Sequence, residues 1–194
     1  MRKCLALLLL ISWPAQAESG AGQRIPLELL DTIISGTPDH EVRFQEERRL
    51  QLLSQPIRLT GTLRFVAPDR VEKHTATPRR EDLVVDGEWA SVRLYDRNTD
   101  TRFRISDDPV LQALMDTLRA ILNGQPGRLA EYYEIEARGN AEAWTLHLKP
   151  LQEALAERIK AVEVAGAENW MKRIALWETT GDSMVIDITV EPGG

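Results

Sequence analysis

From Ile57 onward the apolar positions fall on every second residue: Ile57, Leu59, Gly61, Leu63 and Phe65, with Arg58, Thr60, Thr62 and Arg64 between them. A period of two belongs to a strand with one apolar and one wet face. Ala67-Pro68-Asp69 ends it, because proline has no N–H to give to a ladder and Pro-Asp favours a turn. Residues 71–77 continue as a second extended segment. Leu83-Val84-Val85, the turn pair Asp86-Gly87 and a return through Tyr95 then predict a hairpin. A twisted antiparallel sheet with one apolar face must be covered, and what covers it bears on function.

Helical spacing appears twice. Ile25-Pro26 opens a first helix with proline in its first turn; Leu27, Leu30, Ile33 and Ile34 recur at helical intervals and Gly36 stops it. The second, over 109–123, is the best punctuated, with Asp108 as N-cap, Pro109 in the first turn and Gly124 after the end. Its apolar stripe is Val110, Leu111, Leu114, Met115, Leu118, Ile121 and Leu122, and its wet side Gln112, Asp116, Thr117 and Arg119. It lies between two strand-rich halves, which suits a lid across the sheet. Residues 39–53 are read as a long edge strand whose charges discourage foreign pairing, with a charged surface helix as the alternative. Phe103 and Ile105 mark another strand. Further strands are expected over 129–138, 144–148, 159–164, 171–179 and 184–190, with a short helix in 151–158. The fold class is therefore α+β, mainly β: about eight to eleven antiparallel strands with two long helices.

The first residues read as an address label. Arg2 and Lys3 precede an apolar run over 4–13 that is too short to span a bilayer, and Ala15-Gln16-Ala17 is a small-x-small cleavage site. Cleavage after Ala17 leaves residues 18–194 as one domain. The sole cysteine, Cys4, leaves with the label, so no lipid-modified cysteine anchors the product. An exported, periplasmic, monomeric protein without stable membrane insertion is expected. Loss of Arg2 and Lys3 turns a net charge of −6 into −8. The basic residues are scattered, which argues against nucleic-acid binding.

Catalytic chemistry is missing from the pattern. His40, His74 and His147 are far apart and lack metal-ligand spacing. There is no nucleophile elbow, phosphate loop or dinucleotide fingerprint, so neither an enzyme nor a cofactor is expected. The run Asp96-Arg97-Asn98-Thr99-Asp100 alternates oxygen ligands as a calcium loop does, but Thr101 stands where glycine is needed. It is read as a polar hairpin turn.

An ordered set of segments resembles the LolA-like periplasmic lipoprotein carriers: the amphipathic helix after the leader, Phe44-Gln45, Gly61-Thr62-Leu63, Val66-Ala67-Pro68, Thr77-Pro78, Leu83-Val84-Val85-Asp86-Gly87 and Leu94-Tyr95-Asp96. The resemblance implies an unclosed half-barrel whose concave apolar face is capped by helices and shelters the acyl chains of a lipoprotein. It implies an inner-membrane transporter that supplies the lipidated cargo and an outer-membrane receptor that accepts it. On that basis the cavity residues are Leu59, Leu63, Phe65, Val85, Leu94, Leu111, Leu114, Leu118, Trp144 and Leu146. Family members carry an arginine just before the proline that closes the first strand, where it helps hold the lid. Ala67 occupies that place here, and Arg64 and Arg70 are the substitutes within reach. A carrier of glycolipids or other acylated products, serving a dedicated exporter, is the alternative within the fold. From a different functional class, the alternative is a sensor or assembly module that binds another envelope protein through its sheet edge; helices that simply close an ordinary core are the plainer structural alternative.

Overall fold

The computed structural model describes residues 22–34, 39 and 41–190. The leader, Gly36 and His40 lie outside them. The alternating segments form β1 (Glu41–Arg49), β2 (Ile57–Val66), β3 (Arg70–Thr77), β4 (Glu81–Asp86), β5 (Trp89–Leu94) and β6 (Thr99–Arg104) in the first half. The second half holds β7 (Tyr133–Gly139), β8 (Trp144–Pro150), β9 (Ile159–Ala167), β10 (Trp170–Glu178) and β11 (Ser183–Thr189). All eleven belong to one sheet in the order β6-β5-β4-β3-β2-β1-β11-β10-β9-β8-β7, and every pairing is antiparallel. β6 and β7 are its unjoined ends, so the sheet is unclosed. Residues 23–25 shield the β7 edge: Ile25 N–H donates to Ala137 O at 2.9 Å and Gly139 N–H to Gln23 O at 2.9 Å.

Three helices lie on the concave side: α1 (Leu30–Ile33), α2 (Pro109–Leu122) and α3 (Glu153–Ala156), with 3-10 turns at Leu27–Leu29, Ile105–Asp107 and Pro126–Glu131. α2 starts where its cap demands. Asp108 accepts from the backbone N–H of Val110 at 2.9 Å and of Leu111 at 3.2 Å, satisfying two amides that have no partner within the helix. Gly124, at φ +67°, ends it.

Four expectations are corrected. β1 is no edge strand; it sits mid-sheet between β2 and β11. Its charges tolerate this because most project to the wet side, while Phe44 and Glu46 are buried on the other. The first helix is short rather than long, since the 3-10 turn leaves Leu27 and Leu29 exposed and only Leu30 of α1 is buried. Residues 129–131 complete a 3-10 turn instead of opening β7. Thr117, assigned to the wet side of α2, is buried: its hydroxyl donates to Ala113 O at 2.6 Å, and it lies 2.9 Å from the Tyr133 hydroxyl. A short polar side chain that returns its proton to the helix's own carbonyl fits an interior face.

Register explains why the concave face is largely apolar. Directly opposed residues of an antiparallel pair share a face. Leu63 therefore shares a face with Val42 and Lys73, and Ile186 with Glu46 and Ile174. Two glycines make room for aromatic rings on this face. A Cβ on Gly61 would lie 2.9 Å from the ring of Phe44 opposite it and 1.9 Å from His74 O. On Gly166 it would lie 2.1 Å from the ring of Trp144, again its cross-strand partner. Hence Phe44 and Trp144 lie flat across backbone where side chains would otherwise stand.

Candidate functional site: an apolar cavity beneath α2

Between α2 and the sheet lies a cavity of about 300 Å³. From α2 it is lined by Leu114, Met115, Thr117, Leu118, Ile121 and Leu122. Leu63, Phe65, Val71, Leu83 and Val85 wall it on the side of β2–β4. Val162, Val164, Trp170, Ile174, Leu176, Met184, Ile186 and Ile188 wall it on the side of β9–β11. Its volume is at the lower end of the roughly 300–1,000 Å³ usual for small-molecule clefts. Thioethers at Met115, Met171 and Met184 suit a hollow that adapts to its contents.

Five of the ten residues expected here line the cavity: Leu63, Phe65, Val85, Leu114 and Leu118. The other five sit elsewhere. Leu111 packs against a small satellite cluster of Val85, Ala90 and Ile105. Trp144 and Leu146 are buried in the main core, and the Trp144 indole N–H donates to Glu168 O at 2.9 Å. Leu59 is on the same face as the lining residues but outside the cavity. Leu94 is at the end of β5, paired with Glu81 and Thr99.

The two arginines expected to hold the lid bond elsewhere. Arg64 Nε donates to Asp39 at 3.3 Å. Arg70 bridges Glu72 at 2.7 Å and Asp86 at 2.6 Å; its pKa is raised and that of Glu72 lowered, each chiefly by their mutual hydrogen bond. Neither touches α2. The tether runs in the opposite direction, from the helix to the sheet. Arg119 donates to Asp69 O at 3.1 Å and to Gly87 O, the carbonyls of the β2–β3 and β4–β5 turns. Asn123 Nδ2 donates to Pro68 O at 2.7 Å. Only the three-dimensional proximity of those turns to α2 reveals Arg119, since in sequence it lies about 50 residues from one acceptor. At the N-terminal end of α2, Arg158 Nη1 bonds both oxygens of Asp108, at 3.0 and 2.9 Å. That ion pair, with help from the capped amides, holds the Asp108 carboxyl below the usual aspartate range.

One feature of the apolar face is ionic. Glu46 is buried on it, and its carboxylate accepts from both Lys73 Nζ and Arg48 Nε. Its phase was visible in the sequence, since Val42, Phe44, Glu46 and Arg48 alternate together, but reading the segment as an edge strand concealed it. The three charged residues among those lining the cavity, Arg48, Arg64 and Lys73, are all cationic. No group of side chains that could hold a metal ion occurs among the described residues, and Asp100 of the calcium-like run pairs with Arg93 at 2.7 Å in a hairpin.

The sequence profile described as outer membrane lipoprotein carrier protein LolA-like matches residues 28–186. The chain belongs to this LolA-like family. No curated protein sequence matches it. Solved structures of similar fold are remote. A LolA superfamily protein of Nitrosomonas europaea is 10% identical at a TM-score of 0.39, covering 84% of this chain and 90% of that one. A putative outer membrane lipoprotein-sorting protein domain of Vibrio parahaemolyticus is 9% identical at a TM-score of 0.45, covering 85% and 92%. The MucA/MucB complex of Pseudomonas aeruginosa matches at 13% identity and a TM-score of 0.39, covering 86% of this chain and 57% of that one. The LolA-like fold is thus accompanied by a cavity under one long helix, and no described helix is long and apolar enough to cross a membrane.

Proposed function

We infer that the protein is a non-enzymatic periplasmic carrier that shelters the acyl part of a lipidated cargo beneath α2 and moves it between the inner and outer membranes. The observation that carries this is the apolar cavity between α2 and the sheet. A water-exposed acyl chain costs about 0.8 kcal/mol per methylene, so a passenger in an aqueous compartment needs such a shelter. Family membership supports the same reading. Opening is favoured along the seam where α2 meets the turns at 67–69 and 87–88, because that contact is made by Arg119, Asn123 and a small apolar cluster. The opposite side of α2, with Ala113 and Ala120, is buried in the main core and stays attached. In this reading an inner-membrane transporter loads the cargo and an outer-membrane receptor removes it.

Native mass spectrometry of protein released gently from its own periplasm tests the reading. A triacylated peptide or lipoprotein is the expected bound mass. A sugar-linked lipid would instead identify a carrier of glycolipids, and a protein that comes away empty and takes up no acyl ligand in vitro would overturn the carrier role.

A further inference from the structure

We propose that the cavity is built for an anionic amphiphile, with the acyl chain under α2 and a carboxylate or phosphate head held by Lys73 and Arg48. This rests on the carrier reading and adds the charge of the guest. Glu46 has a side chain 0% exposed, against 12% for Lys73 and 41% for Arg48. Two cations therefore face one carboxylate on a mostly apolar wall. Both cations line the cavity, whereas Glu46 lies beneath them and does not. The charge presented to a guest is the surplus positive one.

No competing anion cancels it. Among the described residues no acidic side chain lines the cavity. Arg64, the third cation of the wall, is bonded to Asp39. Lys73 also lies 4.9 Å from the centroid of the Phe44 ring, a contact that steadies an ammonium without neutralising it. Arg48 uses Nε for Glu46, and among the described residues its terminal nitrogens have no other hydrogen-bond partner. Stability does not explain the cluster, since well-packed apolar side chains usually replace a buried ionic group at no cost or with a gain. A surplus cation at the rim of an apolar cavity is, however, what an incoming anion pairs with.

The layout gives the guest a direction. On β2, Phe65 lies at the end that α2 tethers, and Ile57 lies opposite Arg48, eight residues away. At about 3.3 Å per residue this is roughly 26 Å of wall. Lys73 stands opposite Leu63, two residues from Phe65, and bonds Glu46, which stands opposite Leu59; Arg48, opposite Ile57, marks the end away from the α2 seam. The tail fits beneath the helix and the head reaches the half-exposed Arg48.

Displacement of a polarity-sensitive fluorophore from the purified protein by three ligands with one C16 tail provides the test. These are palmitate, a lysophosphatidate and the neutral monopalmitoylglycerol. At least one anion is expected to bind ten-fold or more tighter than the monoglyceride, the scale of one charge-assisted hydrogen bond, and the tighter anion identifies the head group. Arg48→Met and Lys73→Met should each cut the ratio of anion to monoglyceride affinity to under about three-fold. Glu46→Gln should increase it by freeing positive charge. Should Lys73→Met fail to fold by circular dichroism, the half-exposed Arg48→Met and Glu46→Gln decide the matter. Equal binding of all three ligands by the wild type overturns the proposal and leaves the carrier reading intact. Binding of none overturns both.

Discussion

The two wings of the sheet differ in how they meet the helices. Across β7–β8 the concave face is packed solid: Tyr133, Ile135, Leu146 and Leu148 are buried in the main core with residues of α2, α3 and the N-terminal segment, and none of them lines the cavity. Across β2–β5 only Phe65, Thr75, Val85 and Ala90 reach that degree of burial. The contact there is a small cluster, two polar tethers and a void. One helix thus belongs to a core on one side and covers a hollow on the other. A carrier needs both, because the firm side preserves the fold while the hollow side changes its contents.

The largest expected effect contrasts matched truncations in the two wings. Leu146→Ala, in the solid wing, should cost about 2–5 kcal/mol in denaturant unfolding. Leu63→Ala, on the hollow side, should cost about 1 kcal/mol, because the half-buried leucine already borders empty space. Equal costs would erase the distinction between wings. Next comes the tether. Arg119→Met removes two charge-assisted hydrogen bonds from the seam and should cost about 1.5–3 kcal/mol. It should also speed exchange of a bound acyl ligand measured by stopped-flow displacement; an unchanged off-rate would show that the seam is not the door.

A smaller effect is expected at the firm end of α2. Asp108→Ala loses the cap and the Arg158 pair and should lower stability by about 1 kcal/mol. The Asp108 carboxyl is held below its ordinary pKa first by Arg158, so the folded state resists its protonation. Its contribution is complete above the unfolded value near about 4 and fades as pH falls through the lowered one. The wild type and Asp108→Ala should therefore converge in melting temperature in acid.

The smallest concerns the wet face of the hollow wing, where His74 Nδ1 lies 2.9 Å from Asp82 and its Nε2 3.5 Å from Glu72. The Asp82 hydrogen bond raises the His74 pKa. Its stabilisation is whole below the unfolded value of about 6.5 and is lost as pH rises through the raised one. The advantage of wild type over His74→Asn should be full below about pH 6.5 and shrink as pH rises through the raised pKa. A constant gap would remove His74 from the account.

Much of this was legible in the alternation. Period-two runs located the strands of the sheet, and Asp108, Pro109 and Gly124 marked the limits of α2, because caps and turns are local chemistry. Strand order was not local. The charges of β1 suggested an edge, yet Glu46 finds Lys73 from β3, across β2, a pairing that no spacing along the chain announces. The same limit explains the cavity residues. Leu63 and Leu146 show identical alternation, and only the shape of the helix layer decides that one borders a void and the other a packed core. The guanidinium that joins α2 to the turns comes from the helix, as Arg119, and not from Arg64 or Arg70 on the strands.

Hydrogen exchange read by mass spectrometry, with and without a bound C16 ligand, bears most directly on the hollow wing's ability to open. The turns at 67–69 and 87–88, the Ile105–Asp107 turn and α2 should exchange through an opening of lower free energy than β8 and β9, and ligand should slow the first group while leaving the second unchanged. Exchange of both groups only through global unfolding, indifferent to ligand, would contradict a cavity that opens along the α2 seam.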